Sequence, residues 1–151
     1  MRLLGLDVGE KRIGVALSEE GILARPLTVV HRRSRMEDFA AIGALVQSHR
    51  IECVVVGLPT STEGGIGSQA RRVKRFARGL ARTVPASLVF VDESYTTVDA
   101  LDIMKTVGKT GRKQREQVDA VAAAVILEAY LNREGATEPN DDRPEIKVEG
   151  K

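Results

Sequence analysis

The sequence is poor in the residues that build disulfides, zinc sites and aromatic binding surfaces. Its 151 residues include one cysteine, two histidines, two tyrosines, three phenylalanines and no tryptophan. A single cysteine excludes an intramolecular disulfide, and three Cys and His residues are too few for a structural zinc site with four such ligands. Any contact with nucleic acid can depend little on base stacking, because the aromatic side chains that stack on bases are so few.

Long hydrophobic runs are also missing. No apolar stretch approaches the roughly 20 residues that cross a bilayer, and Asp7 interrupts the apolar start before a signal-peptide core can form. The hydrophobic fraction of 42% is nevertheless enough for the core of one domain. We therefore expect a cytoplasmic protein without membrane contacts. One domain would occupy residues 1–134, and a polar, disordered tail residues 135–151.

Basic residues exceed acidic ones by only two, but the excess is unevenly placed. Residues 135–151 carry five acids and three bases, so the positive charge lies before this segment. It is concentrated on one face of a predicted helix (Arg71, Arg75, Arg78 and Arg82) and in the segment 105–115. This distribution is compatible with a polyanionic partner such as nucleic acid, but it does not by itself indicate one.

The hydrophobic patterning predicts an α/β fold with a mixed five-stranded sheet and helices on both faces. Apolar runs predict strands over residues 2–8, 12–18, 23–30, 51–56 and 87–91, and Pro26 makes the third an edge strand. Helices are predicted to begin near Ser34, Ser68, Thr96 and Gln114, with a basic loop over 109–113. Short turns make the first three strands antiparallel, whereas helical crossovers make the last two parallel.

Three carboxylates stand in apolar surroundings. Asp7 lies inside a predicted buried strand, Glu93 follows another, and Asp119 lies in an apolar helix. Each has an ordinary explanation: Asp7 could pair with Lys11 or Arg12, Glu93 could be a strand-end acid, and Asp119 could be favoured by the helix dipole. Together they indicate an oxygen-ligand site, which selects Mg²⁺ or Mn²⁺ over zinc.

Four segments match, in order, the motifs of one bacterial family. They are Gly5–Gly9 with Arg12–Ala16, Val56–Pro59 leading to Phe76, Asp92–Glu93 with Thr96–Thr97, and Val118–Asp119 leading to Leu131. Each segment alone is weak evidence for the family, but the four together are specific for it and cover residues 3–131. The sequence resembles the YqgF or RuvX family, whose members are named as pre-16S rRNA nucleases and as Holliday junction resolvases.

The resemblance implies a ribonuclease H-like fold in which Asp7, Glu93 and Asp119 bind metal and catalyse hydrolysis of phosphodiester bonds. Two Mg²⁺ or Mn²⁺ ions about 3.5–4 Å apart would activate water and stabilise the leaving oxygen, with Asp7 as the bridging ligand. One residue departs from the family. Ser94 stands where members usually have arginine, which puts one phosphate contact in question but none of the metal ligands.

The substrate and its binding residues are less sharply defined. The expected phosphate ligands are Lys109, Arg112, Lys113 and Arg115, which precede Asp119 in a segment predicted to be a mobile loop. The alternative is the Arg71–Arg82 face. Processing of pre-16S rRNA is the expected function. The alternatives are resolution of Holliday junctions, which would favour a homodimer, and a catalytically inactive nucleic-acid-binding module. An actin-like or sugar-kinase-like phosphotransferase would need a second domain to close over ATP.

Overall fold

A computed structural model describes residues 1–59, 67–92 and 112–133, without the side chains of 112–115. Five strands are present: β1 (Leu3–Val8), β2 (Arg12–Ser18), β3 (Arg25–His31), β4 (Cys53–Leu58) and β5 (Ser87–Asp92). The helices are α1 (Arg35–Ser48), α2 (Ser68–Ala81) and α3 (Arg112–Leu131). The helix predicted near Thr96 and the predicted tail lie outside the described residues. No helix in the described ranges is long and apolar enough to cross a membrane.

The strands form one sheet in the order β3-β2-β1-β4-β5. β1 pairs antiparallel with β2, and β2 with β3, whereas β1–β4 and β4–β5 are parallel. The mixed sheet and the edge position of β3 are as predicted. Because β1, β4 and β5 run in the same direction, their carboxyl ends lie together at the edge of the sheet that is formed by strand ends, not by β3. This edge, called the sheet edge below, is the usual place for sites in such folds.

Helices α1 and α2 cover one face of the sheet and α3 covers the other. Phe39 of α1 packs on Phe76 of α2 with ring centroids 5.1 Å apart. On the opposite face, a Cβ added to Gly5 would lie 3.0 Å from the carbonyl oxygen of Ala123 in α3. The central strands are therefore covered on both sides. Cys53 is buried between these layers, and burial raises its thiol pKa to about 12, so it is a core residue.

Strand β4 begins two residues later than predicted, because Ile51 belongs to the end of α1. Arg50 adopts a left-handed conformation with φ 54°. Its N–H donates to the carbonyl of Gln47, and the N–H of Ile51 donates to that of Val46. This pattern is a Schellman motif, which satisfies the last helical carbonyls and packs Ile51 near Val46. Hydrophobicity alone could not separate this capping residue from the strand that follows.

Helix α3 begins earlier than predicted. Its first residue is Arg112, so the predicted basic loop over 109–113 is wrong at residues 112–113. The run Arg-Lys-Gln-Arg-Glu-Gln consists of good helix formers, which extend the helix to Arg112. At α1, by contrast, the predicted start is confirmed, since Ser34 accepts a hydrogen bond from the N–H of Glu37.

We expect Gly14→Ala to destabilise the protein by about 1–3 kcal/mol, the usual range for overpacking. A Cβ at Gly14 would overlap the backbone carbonyl of Asp119, which cannot rotate away as a side chain would. The matched control is Gly43→Ala in α1, where the nearest atom to the added Cβ is 3.9 Å away. That change should be neutral or stabilise by up to about 1 kcal/mol. Urea unfolding measures both, and equal effects would contradict the close approach of α3.

Candidate active site

Asp7 lies near the carboxyl end of β1 and faces α3. It is half-buried and pairs with Gly14 of β2 in the antiparallel register. Gly5, two residues earlier, faces Ala123 and Leu127 of α3. Because alternate residues of a strand share a face, Asp7 points to the same side as Gly5. The carboxylate therefore lies between the sheet and α3, at the sheet edge where β1, β4 and β5 end.

Asp119 lies on α3 at the same level as Asp7. Its backbone carbonyl packs directly against Gly14, the residue that pairs with Asp7. One helical turn later, the carbonyl of Ala123 packs against Gly5. Thus α3 lies along β1 and β2, and the two glycines let its backbone approach closely. The structure places Asp7 and Asp119 on one face at one level, although they come from opposite ends of the described chain.

The side chain that contacts Asp119 is an arginine. Nε of Arg12 donates to Oδ2 of Asp119, and the two side chains are 30% and 24% exposed. Arg12, which the sequence offered as a possible partner of Asp7, thus pairs with Asp119. A cation beside two neighbouring carboxylates reduces the repulsion between them, so Arg12 offsets negative charge at this edge.

A second contact holds the start of α3 on the sheet. Nε2 of His31, on the edge strand β3, lies 2.9 Å from Oε2 of Glu116. Glu116 and Asp119 are three residues apart and so share one helix face, but no pattern in the sequence links this face to His31. His31 is 54% exposed, and Glu116 is its partner on α3.

The remaining predicted site residues are described only in part. Glu93 lies outside the described residues and directly follows Asp92, the last residue of β5. Lys109 is also outside them. Three predicted phosphate ligands, Arg112, Lys113 and Arg115, form the beginning of α3, with side chains outside the described part.

Asp7 and Asp119 fit a hard divalent cation. Both present carboxylate oxygens, the ligands that Mg²⁺ and Mn²⁺ prefer, and both are accessible enough for an ion to reach. Two carboxylates do not complete such a site, and the described residues contain no group of three metal-ligating side chains. Arg12 now occupies one oxygen of Asp119, so a cation would have to compete with this guanidinium.

The model of the RuvX family, described as a Holliday junction resolvase family, matches residues 1–133. This chain belongs to the RuvX family. A relative from Moorella thermoacetica, named "Putative pre-16S rRNA nuclease", is 44% identical over 136 residues, covering 89% of this chain and 97% of the relative. A relative of the same name from Syntrophus aciditrophicus is 44% identical over 133 residues, covering 87% and 89%. The family resemblance expected from the four sequence segments is confirmed.

Solved structures show the same fold at low sequence identity. Thermus thermophilus RuvC in complex with a Holliday junction substrate superposes with a TM-score of 0.56 at 17% identity, covering 85% of this RuvX chain and 94% of that chain. The fowlpox virus resolvase in complex with Holliday junction DNA gives 0.52 at 9% identity, covering 87% and 97%. At these identities the likeness concerns the fold alone, and it confirms the predicted ribonuclease H-like architecture.

We expect Arg12→Gln to lower the free energy of unfolding in EDTA by about 1–3 kcal/mol, because it leaves the half-buried Asp119 carboxylate without its charged donor. Arg25→Gln is the matched control. Its guanidinium lies 3.6 Å from Glu19, and both side chains are about half exposed, at 55% and 50%, so its loss should cost under about 1 kcal/mol. Chemical denaturation compares the two variants. Equal losses would show that the Arg12 pair adds nothing beyond an ordinary surface contact.

Proposed function

We propose that this chain is a divalent-metal-dependent nuclease that hydrolyses phosphodiester bonds in pre-16S rRNA. The observation that carries the proposal is the placement of Asp7 and Asp119 on one face, at the sheet edge where β1, β4 and β5 end. Glu93, next to the last residue of β5, would join them from the same edge. Its sequence position supports this assignment, since Asp92 pairs with Leu58 at the carboxyl end of β4.

Asp7, Glu93 and Asp119 are then the proposed catalytic residues and ligands of two Mg²⁺ or Mn²⁺ ions. Such ions, when bound, activate a water and stabilise the leaving oxygen of the phosphodiester. Asp7 is the proposed bridging ligand because β1 is the central strand of the sheet. Arg12, once released from Asp119, would remain at the edge as a donor for the phosphate.

The start of α3 is the proposed substrate-binding segment, with Lys109 before it. Its first turn contains bases and no acid, although the positive end of the helix dipole favours the opposite. The helix dipole therefore disfavours the positive charges of Arg112, Lys113 and Arg115 at this end. A bound phosphate group would offset this repulsion, because helix N-termini and guanidinium groups both bind anions.

Two observations bear on the choice of substrate. Relatives that are 44% identical over most of the chain are named for pre-16S rRNA, which favours RNA processing in the cytoplasm. The family model is named for Holliday junctions, and branched DNA is therefore the second candidate. A junction has two-fold symmetry, so this second function would be accompanied by a homodimer.

We expect Asp7→Asn to abolish cleavage while leaving nucleic-acid binding intact, because it removes a ligand charge and keeps the side-chain shape. The purified protein is incubated with Mg²⁺ or Mn²⁺ and three labelled substrates: a structured RNA containing the 5′ end of mature 16S rRNA with its precursor extension, a single-stranded RNA and a four-way DNA junction. Removal of one catalytic carboxylate should reduce the rate by at least about 100-fold, roughly 2.7 kcal/mol of barrier. EDTA should do the same.

Glu52→Gln is the control, since Glu52 is exposed and precedes β4 at the opposite edge of the sheet. Its rate should equal that of the wild-type protein. Metal-dependent cleavage that persists in Asp7→Asn would refute the assignment of the site. Binding without cleavage by the wild-type protein on all three substrates would favour the inactive binding module.

Replacing Lys109, Arg112 and Lys113 together by Ala should weaken binding and flatten its salt dependence. Each lost phosphate contact reduces the slope of log affinity against log salt by about 0.7 on single strands or 0.9 on duplex DNA. Metal binding, followed as the Mg²⁺-induced rise in melting temperature, should not change. An unchanged slope would show that these bases are merely solvated.

A further inference from the structure

A cavity of about 320 Å³ opens at the carboxyl end of β1, on the face of the sheet opposite to Asp7. Val8 and Gly9 form its floor, and residues of α1, α2 and the turn after β3 form its walls. Since Val8 and Asp7 point to opposite faces, the cavity and the candidate active site share one sheet edge but lie on its two sides. Its volume is within the range of ligand-binding pockets.

The wall nearest the core is built around a buried carboxylate. Asp38 is only 2% exposed and accepts hydrogen bonds from Nε of Arg32, at 3.2 Å, and from the backbone N–H of Arg33, at 3.0 Å. Arg32 also donates to the carbonyl of Gly9, at 2.9 Å, and its guanidinium lies 4.8 Å from the centre of the Phe76 ring. Arg32 is therefore a structural residue, and the charge of Asp38 is already compensated.

Two further arginines line the cavity and are exposed. Arg33 uses its backbone to bind Asp38, which leaves its side chain outside that network. Arg72 contacts the carboxylate of Glu10 at 3.1 Å, but these side chains are 57% and 74% exposed. Such exposed ion pairs contribute little, so a phosphate of the substrate can displace Glu10. Gln69 adds an amide donor at the same wall.

The charge of α2 extends this site along the surface. The helix contains five bases and no acid over 14 residues, a length of about 21 Å. Arg72, Arg75 and Arg78 recur at a spacing that keeps them on one exposed face. A line of positive charge that begins at a cavity suits a strand of phosphates better than a small isolated anion.

We propose that this cavity binds a phosphate group of the nucleic-acid substrate through Arg33, Arg72 and Gln69, and that the adjoining strand follows the exposed face of α2. The inference rests on the proposed nuclease function and adds a second contact region, on the side of the sheet edge away from the metal ligands. The phosphate is either a terminal monoester or an internal diester, because both present at least two non-bridging oxygens to the arginines.

The test is binding by the full-length double variant Arg33→Gln/Arg72→Gln. Fluorescence anisotropy in EDTA, at several KCl concentrations, follows a labelled single-stranded RNA with or without a 5′-phosphate. Loss of two phosphate contacts should reduce the salt slope by about 1.4 and weaken binding at least tenfold at low salt. A dependence on the 5′-phosphate that the variant loses assigns the cavity to a terminal group. An equal loss with both RNAs assigns it to an internal phosphate.

Arg25→Gln/Arg50→Gln is the matched control. It removes the same charge from exposed residues at the opposite sheet edge and should leave the slope unchanged. Equal slopes for the cavity variant and the wild-type protein would overturn the proposal, even if the wild-type protein cleaves RNA. A reduced slope in both double variants would also overturn it, because the effect would then be one of net charge. Specific loss of binding without cleavage by the wild-type protein would support the cavity and refute the nuclease instead.

Discussion

The close approach of α3 to the first two strands is the constraint on which the rest of the site depends. Gly5 and Gly14 leave no side chain between the sheet and the helix backbone, so carbonyl groups of α3 rest directly on them. Protein interiors are packed too densely to absorb an added methyl group at such a contact. A helix held farther away would carry Asp119 away from Asp7. The geometry of the two carboxylates is therefore set by residues that have no functional groups.

Two arginine–aspartate pairs lie on opposite sides of the same sheet edge and differ in burial. Asp38 has a side chain only 3% exposed, and Arg32 is fixed to it by further contacts, so this pair stabilises the turn that forms the cavity wall. Asp119 is 24% exposed, and Arg12 is 30% exposed. Breaking a buried pair is costly, whereas a more exposed pair can exchange its partner at lower cost. Burial thus separates a structural carboxylate from one that is available to a cation.

The sequence predicted the elements whose patterns are local and missed contacts that depend on distant segments. Strand β2 was predicted at its observed bounds, and the predicted start of α2 near Ser68 agrees with the structure. The start of β4 was misplaced because Ile51 is as hydrophobic as a strand residue. The partner of Arg12 could not be predicted, since sequence proximity favoured Asp7 and only the packing of α3 brings Asp119 nearby. The buried role of Asp38 was also missed, although its partners Arg32 and Arg33 are only six and five residues before it in the sequence.

The first of the four family segments, the motif Gly5–Gly9 with Arg12–Ala16, forms one surface of the folded protein. Gly5 and Asp7 are two residues apart and share a face, and the β1–β2 register adds Gly14 beside Asp7. The two glycines admit the helix, the aspartate supplies charge, and Arg12, two residues before Gly14, supplies the compensating cation. The hairpin of β1 and β2 thus contains both the docking surface for α3 and two of the charged groups of the site. Because these residues are close in the sequence, the motif could be recognised there, whereas the contact between Arg12 and Asp119 depends on the docked helix.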